Sequence, residues 1–416
     1  MGRRYQAIRG THDILPEDVA AWQRLETAAR VTFARYGFRE IRTPLFEATE
    51  LFTRSIGTST DVVRKEMYTF LAGDESITLR PENTAPVVRA FVEHSLHRTI
   101  AQGFPERLYY VGPMFRYERP QKGRQRQFHQ IDLEVLGAPE PGADIEVITV
   151  AADILDRLGL LDRCVLKLNS LGDPESRVAY RKVLVDYYSK HLAQLSEESR
   201  ERLNRNPLRI LDSKDDGDKR INANAPSFAD HLNQASRDFF KAVQDGLGAA
   251  GVPFEIDPAL VRGLDYYTHT AFEFVTTHIG AQGTVLGGGR YDGLIAELGG
   301  PPTAGIGWAG GIERLVMLAS EPAALPRPVV LAPLGAAAEA KALGIARTLR
   351  KAGIAVEQDY RGNMKRRMQR ANKLNARAAV IIGDDELAKG VAQLKDLDSG
   401  EQREVALDKL REALKG

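Results

Sequence analysis

Two runs constrain any fold of this chain more than the rest: RLYYVGPMFRYE, residues 107–118, and FHQIDLEVLG, residues 128–137. Both alternate apolar and polar residues with the period of two of a strand. Short alternating strands in neighbouring pairs point to an antiparallel sheet with helices beside it. A second pair, TAFEFVTT and TVLGG, residues 270–277 and 284–288, repeats the pattern. In the first pair Ile131, Leu133 and Val135 share one face, which places Gln130, Asp132 and Glu134 on the other; Arg116 and Glu118 alternate with Phe115 and Tyr117. A polar face on a half-exposed sheet is ordinarily just solvated. The connection from Arg119 to Gln127 argues for more, because Arg119, Lys122, Arg124 and Arg126 repel one another there unless anions arrive. Phosphate suits the planar guanidinium fork best.

Other stretches offer further walls for a pocket. ITLRPENTAPVVRAF reads as a strand ending near Leu79 and a helix entered at Thr84 as N-cap, with Glu82 just ahead of it. Acid at that position also serves plain dipole compensation. LVRGLDYYTHTAFEF sets Arg262, Tyr266 and Tyr267 before a strand, and TVLGGGRYDGL brings three glycines against Arg290 and Tyr291. GIGWAG, residues 305–310, matches the dinucleotide pattern GxGxxG, but GGPPTA precedes it and leaves no room for the strand such a site needs. Its glycines are expected to give close packing that admits a flat ligand beside Arg314. With no Walker-type loop in the chain, any nucleotide is held by arginines and sheet.

The 416 residues, 43% apolar and 27% charged, suit two or three domains. Cys164 is the single cysteine, so neither a disulfide framework nor a zinc signature exists. No apolar leader or membrane-length run occurs, so a cytoplasmic protein with no membrane partner is expected. The net charge of +1 hides an asymmetry: residues 327–416 carry 18 Lys+Arg against 12 Asp+Glu, net +6, while the remainder carries 39 against 44, net −5. A basic module on an acidic body fits a polyanion partner as well as a solvated surface. SEPAALPRP, residues 320–328, marks the boundary. Beyond it VVLAPL, a helical run Ala336–Ala352, IAVEQD, a helical run Met364–Asn375 and AAVIIG alternate as right-handed βαβ units on a small parallel-type sheet. Lys365, Arg366, Arg367, Arg370 and Lys373 bunch on the second helix. Charged, helix-prone sequence at about 170–240 reads as a helical insertion into a body at 1–322, with a separate module at 327–416.

Taken together these stretches resemble the histidyl-tRNA synthetases, a class II aminoacyl-tRNA synthetase family, from RGTHDILP at Arg9 to the last helix. GFREIRTPLFEATELF resembles motif 1, FRYERPQKGRQRQFHQIDLE motif 2 and GIGWAGGIERL motif 3; LVRGLDYYT and GGGRYDGL resemble two blocks peculiar to the histidine enzyme. The resemblance implies an α+β catalytic domain whose antiparallel sheet is flanked by helices, a helical insertion and a C-terminal α/β anticodon-binding domain. It implies a homodimer through the Pro44 region, with L-histidine, ATP with Mg²⁺, and tRNA(His) as partners. Glu82, Asn83, Thr84, Gln130, Glu134, Tyr266, Tyr267 and Tyr291 are the implied histidine-binding residues. Arg116, Glu118, Arg124 and Arg314 are implied at ATP, and Arg262, Arg116 and Gln130 in catalysis, with no side-chain metal ligand assigned. Arg119, Lys122 and Arg124 could also reach the tRNA acceptor end. Two positions depart from the family pattern: Asn83, where glycine is common, and Gly310, where an apolar side chain is usual.

The implied reaction has two steps, histidyl-adenylate formation with release of pyrophosphate and then transfer to tRNA with release of AMP. The alternative is the non-catalytic regulatory subunit of ATP phosphoribosyltransferase, which binds histidine and resembles only the catalytic body. A proline or threonine synthetase would not carry LDYYT with GGGRYDG.

Overall fold

The computed structural model describes residues 5–57, 60, 62–100, 102–211, 213–261, 264, 266–280, 283–319 and 327–415. The chain divides into two compact units, Met1–Ala323 and Ala324–Gly416.

The first unit is built on an eight-stranded sheet. Its strands are β1 (Arg39–Glu40), β2 (Glu106–Phe115), β3 (Gln127–Leu136), β4 (Val165–Ser170), β5 (Glu255–Ile256), β6 (Thr268–Val275), β7 (Thr284–Arg290) and β8 (Gly305–Gly311), in the order β1-β2-β3-β8-β7-β6-β4-β5. The six central strands are antiparallel, and the short β1 and β5 join the two edges in parallel. Both expected strand pairs form, Phe115 opposite Gln127 and Gly287 opposite Glu273. GIGWAG is itself a strand rather than a turn after one, and it runs straight into the helix Ile312–Leu318.

One face of the sheet is covered by helices Pro16–Arg35, Pro141–Arg157 and Gln234–Ala249, whose apolar stripes recur at helical spacing. Trp22, Leu25, Ala29 and Phe33 from the first, and Val147, Ile148, Ala151 and Ile154 from the second, pack on Ile131, Leu133, Val135 and Trp308. Phe33 stacks on Tyr109 with ring centroids 4.5 Å apart. Covering that face leaves Gln130, Asp132 and Glu134 on the opposite one. The segment between β4 and β5 is helical among its described residues, with its own small core of Tyr180, Leu184, Tyr188, Leu203 and Phe228.

Arg290, which the glycine-rich stretch placed beside a pocket, is instead a fully buried brace. Its guanidinium pairs with Asp144, itself fully buried, and donates to the carbonyl of Ala138 at 3.0 Å and to Asp292 at 3.1 Å. Removing one partner strands a charge without water. Asp144→Ala should therefore cost about 3–5 kcal/mol of stability, read as a lowered denaturant midpoint with unchanged slope.

The second unit carries a five-stranded sheet of β9 (Val329–Pro333), β10 (Val356–Gln358), β11 (Ala378–Ile382), β12 (Val391–Asp396) and β13 (Gln402–Ala406), in the order β10-β9-β11-β12-β13. β9, β10 and β11 are parallel as expected; β12 and β13 extend the sheet antiparallel. The basic helix is only partly a free cationic face. Arg367 is buried, donating to the carbonyl of Gly362 and to Glu339 at 2.8 Å, and Arg370 pairs with Glu357 and Asp359. Lys365, Arg366 and Lys373 remain exposed.

Candidate active site

A cavity of about 710 Å³ opens on the uncovered face of the large sheet. Gln130 on β3, Glu82 and Thr84 at the start of the helix Thr84–Glu93, and Tyr266, Tyr267 and Tyr291 line one part. Arg116, Glu118 and Arg124 beyond β2, with Arg314 on the helix after β8, line another.

At the acidic end Glu134 is 1% exposed. It accepts a hydrogen bond from the Thr84 hydroxyl at 2.7 Å and one from Tyr291, with the Tyr110 hydroxyl at 3.4 Å. A Cβ on Gly307 would run into its carboxylate, and one on Gly289 would lie 2.9 Å from the Tyr267 ring. The glycines of β7 and β8 thus make room for Glu134 and the tyrosines, not for a dinucleotide phosphate. Glu82 caps its helix in place of Thr84: its carboxylate accepts from the backbone N–H of Thr84 at 2.8 Å and of Ala85 at 3.1 Å, while Asn83 holds the N-cap position. Asn83 lines the cavity, but its amide oxygen is engaged behind the wall by Thr43 at 2.6 Å and Arg80 at 3.1 Å. Its side chain supports the pocket instead of presenting its carbonyl to a ligand. The Gln130 side-chain oxygen is buried with no hydrogen-bond partner among the described residues, which leaves it able to accept from a ligand.

Burial pushes the Glu134 carboxyl up to about 8, and nearby Glu82 adds to the rise, against the hydroxyls of Tyr291 and Thr84 that favour its charge. Burial raises Asp132 as well, with Glu134 contributing, and raises Glu82. Asp132 and Tyr110 were not singled out as site residues in the sequence, although Asp132 shares the period-2 face of Gln130 and Glu134. A carboxyl whose pKa is higher folded than unfolded favours the native state below its unfolded value, and that benefit is lost as pH climbs through its folded one. The ligand-free protein should therefore lose stability between about pH 5 and about pH 8, and a cationic ligand seated against these acids should restore it. Thermal unfolding across that range with and without histidine reads both effects; Glu134→Gln should flatten the slope.

At the other end Arg116 donates from Nε to the Pro81 carbonyl at 2.8 Å and lies over the Phe128 ring at 5.2 Å. Arg314 donates to the carbonyls of Gly123 at 2.9 Å and Thr284 at 2.6 Å, and burial followed by the charge of Arg124 lowers its pKa. Arg124 pairs with Glu118, and Arg126 stacks over Tyr117 at 4.0 Å, so the loop cations are partly neutralised by the chain itself. β2 ends at Phe115, so Arg116 and Glu118 sit in the loop rather than on a strand. Of the residues read from the sequence, Arg262 lies outside those described; the rest of the assigned set lines this one cavity except Glu134, which is buried behind the lining residues Gly307, Thr84 and Tyr291.

The histidyl-tRNA synthetase family model matches residues 10–315, and the histidine–tRNA ligase of Rhodospirillum rubrum is 56% identical over 98% of both chains. The chain belongs to the histidyl-tRNA synthetase family. An anticodon-binding domain model matches residues 328–416. The histidine–tRNA ligase of Gluconacetobacter diazotrophicus is 52% identical over 99% of this chain and 98% of its own. Among solved structures, apo S. aureus histidyl-tRNA synthetase is 36% identical, with a TM-score of 0.83 over 99% of this chain and all of that one. A Bacillus halodurans protein described as an ATP phosphoribosyltransferase regulatory subunit/histidyl-tRNA synthetase shares the fold at 20% identity, with a TM-score of 0.67 over 92% of this chain and 99% of that one.

Within the synthetase frame the cavity is bipolar: carboxylates and tyrosines at one end, guanidinium groups at the other. An amino acid carrying an ammonium and a ring N–H suits the first, and a polyphosphate the second.

Proposed function

We infer that this chain ligates L-histidine to tRNA(His) through a histidyl-adenylate, and the observation that carries the reading is this two-ended cavity in a member of the family. Glu82, Thr84 and Gln130 hold the histidine α-amino group, and Glu134 with Tyr267 holds the imidazole. Arg116 contacts the ATP α-phosphate and Arg314 the γ-phosphate; the role of Arg262 at the α-phosphate and histidine carboxylate rests on the sequence resemblance. The histidine carboxylate is ionised at neutral pH, so its attack on the α-phosphorus needs no general base. The new carboxyl–phosphorus bond forms as the bond to the pyrophosphate oxygen breaks, and arginines stabilise the charge gathering on the phosphoryl oxygens. The terminal adenosine hydroxyl of tRNA then takes the histidyl group and AMP leaves.

Mg²⁺ enters with ATP. Glu118 and Glu273 line the cavity, and Mg²⁺ is characteristically held by one or two carboxylates together with substrate phosphates; they are the residues that would hold it, neutralising phosphate charge. The protein acts in the cytoplasm as a homodimer through the Pro44 region, and the unit at 327–416 binds the anticodon. The regulatory-subunit reading is not favoured: the full-length relatives at 52–56% identity are histidine–tRNA ligases. Exchange of pyrophosphate into ATP, run with each amino acid separately, tests the assignment. It should depend on histidine alone, and histidine binding without exchange would return the regulatory reading.

A further inference from the structure

Arg80 is 4% exposed yet makes no ion pair among the described residues. Its guanidinium instead donates to carbonyls, one hydroxyl and one amide: Nε to Pro113 at 3.0 Å, and Nη1 to the Thr43 hydroxyl at 3.1 Å, the Thr43 carbonyl at 3.3 Å, the Pro44 carbonyl at 3.4 Å and Asn83 Oδ1 at 3.1 Å. The Thr43 hydroxyl closes a triangle by donating to the same Asn83 oxygen at 2.6 Å. The backbone repeats the connection, since Arg80 N–H donates to the Leu45 carbonyl and the Arg80 carbonyl accepts from Phe115, both at 3.0 Å. Space is reserved for this group as well: a Cβ on Gly112 would stand 2.6 Å from Arg80 Nη2. A buried cation satisfied by neutral oxygens alone is costly to keep, and the residues it organises explain its presence. Asn83 is flanked by Glu82 and Thr84, which face the cavity from one turn.

We propose that Arg80 is a positioning residue for adenylate formation, locking the Glu82–Thr84 turn onto the Thr43–Pro44 segment so that the histidine α-amino group meets a preset geometry. This rests on the ligase reading. Asn83 serves here as the receiving end of the brace, which gives a reason for an amide in a turn where a glycine would offer no side-chain acceptor. Arg80 never touches substrate; it acts through Asn83 and the two residues beside it. Its positive charge also lies near the buried Glu82 and Asp132, which oppose the loss of basicity that burial imposes on it.

The test is Arg80→Lys, which keeps the charge and loses the fork, alongside Asn83→Ala and the double variant, in histidine-dependent pyrophosphate exchange. The KM for histidine should rise about tenfold or more while that for ATP stays within about twofold. Inhibition by imidazolepropionate, which lacks the amine, should be unchanged in Arg80→Lys. The double variant should be little worse than the more damaging single one, because both break one bridge. An unchanged KM for histidine overturns the proposal. So does a parallel rise in both Michaelis constants and the inhibition constant, the signature of general loosening. A wild-type protein without exchange would instead overturn the ligase reading beneath it.

Discussion

Replacing Arg116 by alanine is expected to lower histidine-dependent pyrophosphate exchange by about a hundred- to a thousandfold, equivalent to roughly 3–4 kcal/mol of lost transition-state stabilisation. The magnitude follows from where the charge develops. In the ground state the α-phosphate carries one negative charge; in the transition state the oxygens around phosphorus need a donor already aimed at them. Arg116 is held for that task before substrate arrives, its Nε tied to the Pro81 carbonyl and its plane lying over Phe128. Arg116→Lys should recover little, since an ammonium cannot both hold the Pro81 carbonyl and present two parallel donors. Because the contact strengthens as the reaction proceeds, kcat should fall far more than the KM for ATP rises. A large rise in the KM for ATP with kcat intact would make Arg116 a ground-state binding group only.

The site was legible in the sequence where chemistry and local period coincide. Alternation along residues 128–137 put Glu134 and Gln130 on one face, and the arginine-rich connection marked the cationic end of the cavity, because both signals are carried by neighbouring residues. Three features were not legible, each because burial is a tertiary property. The polar face of β3 reads as a solvated surface, but Glu134 is buried against Thr84, Tyr110 and Tyr291, and Asp132 against Tyr110 and Gly310. Arg290 and Arg367 read as available cations, yet each is consumed by carboxylates or carbonyls distant in the chain. The glycines of GIGWAG read as packing beside a flat ligand; what they accommodate first is the carboxylate of Glu134 and the ring of Tyr291, side chains supplied by other strands and loops. The same reasoning accounts for Arg80, whose partners other than Asn83 lie more than thirty residues away on either side and leave no local trace.

Glu134→Ala should raise the KM for histidine by about a hundredfold or more while moving that for ATP only a few-fold. The carboxylate is buried and receives the hydroxyls of Thr84 and Tyr291, so its geometry is set before the imidazole arrives. An aliphatic amino acid of similar size would offer the carboxylate no N–H beyond those hydroxyls and leave its charge buried uncompensated, a penalty that supports discrimination of about 10⁴ without a separate editing site. Truncation to alanine also leaves those two hydroxyls without their acceptor, so alanine alone would confuse a lost substrate contact with a relaxed wall. Glu134→Gln separates them, because an amide keeps the shape, an acceptor oxygen for one hydroxyl and an NH2 that can donate to the other, but lacks the charge that draws a ring N–H. If charge on Glu134 selects histidine, the glutamine variant should hold its fold yet share most of the KM defect. Should it bind histidine as the parent does, or should both variants impair ATP equally, selection must come from the tyrosine wall instead.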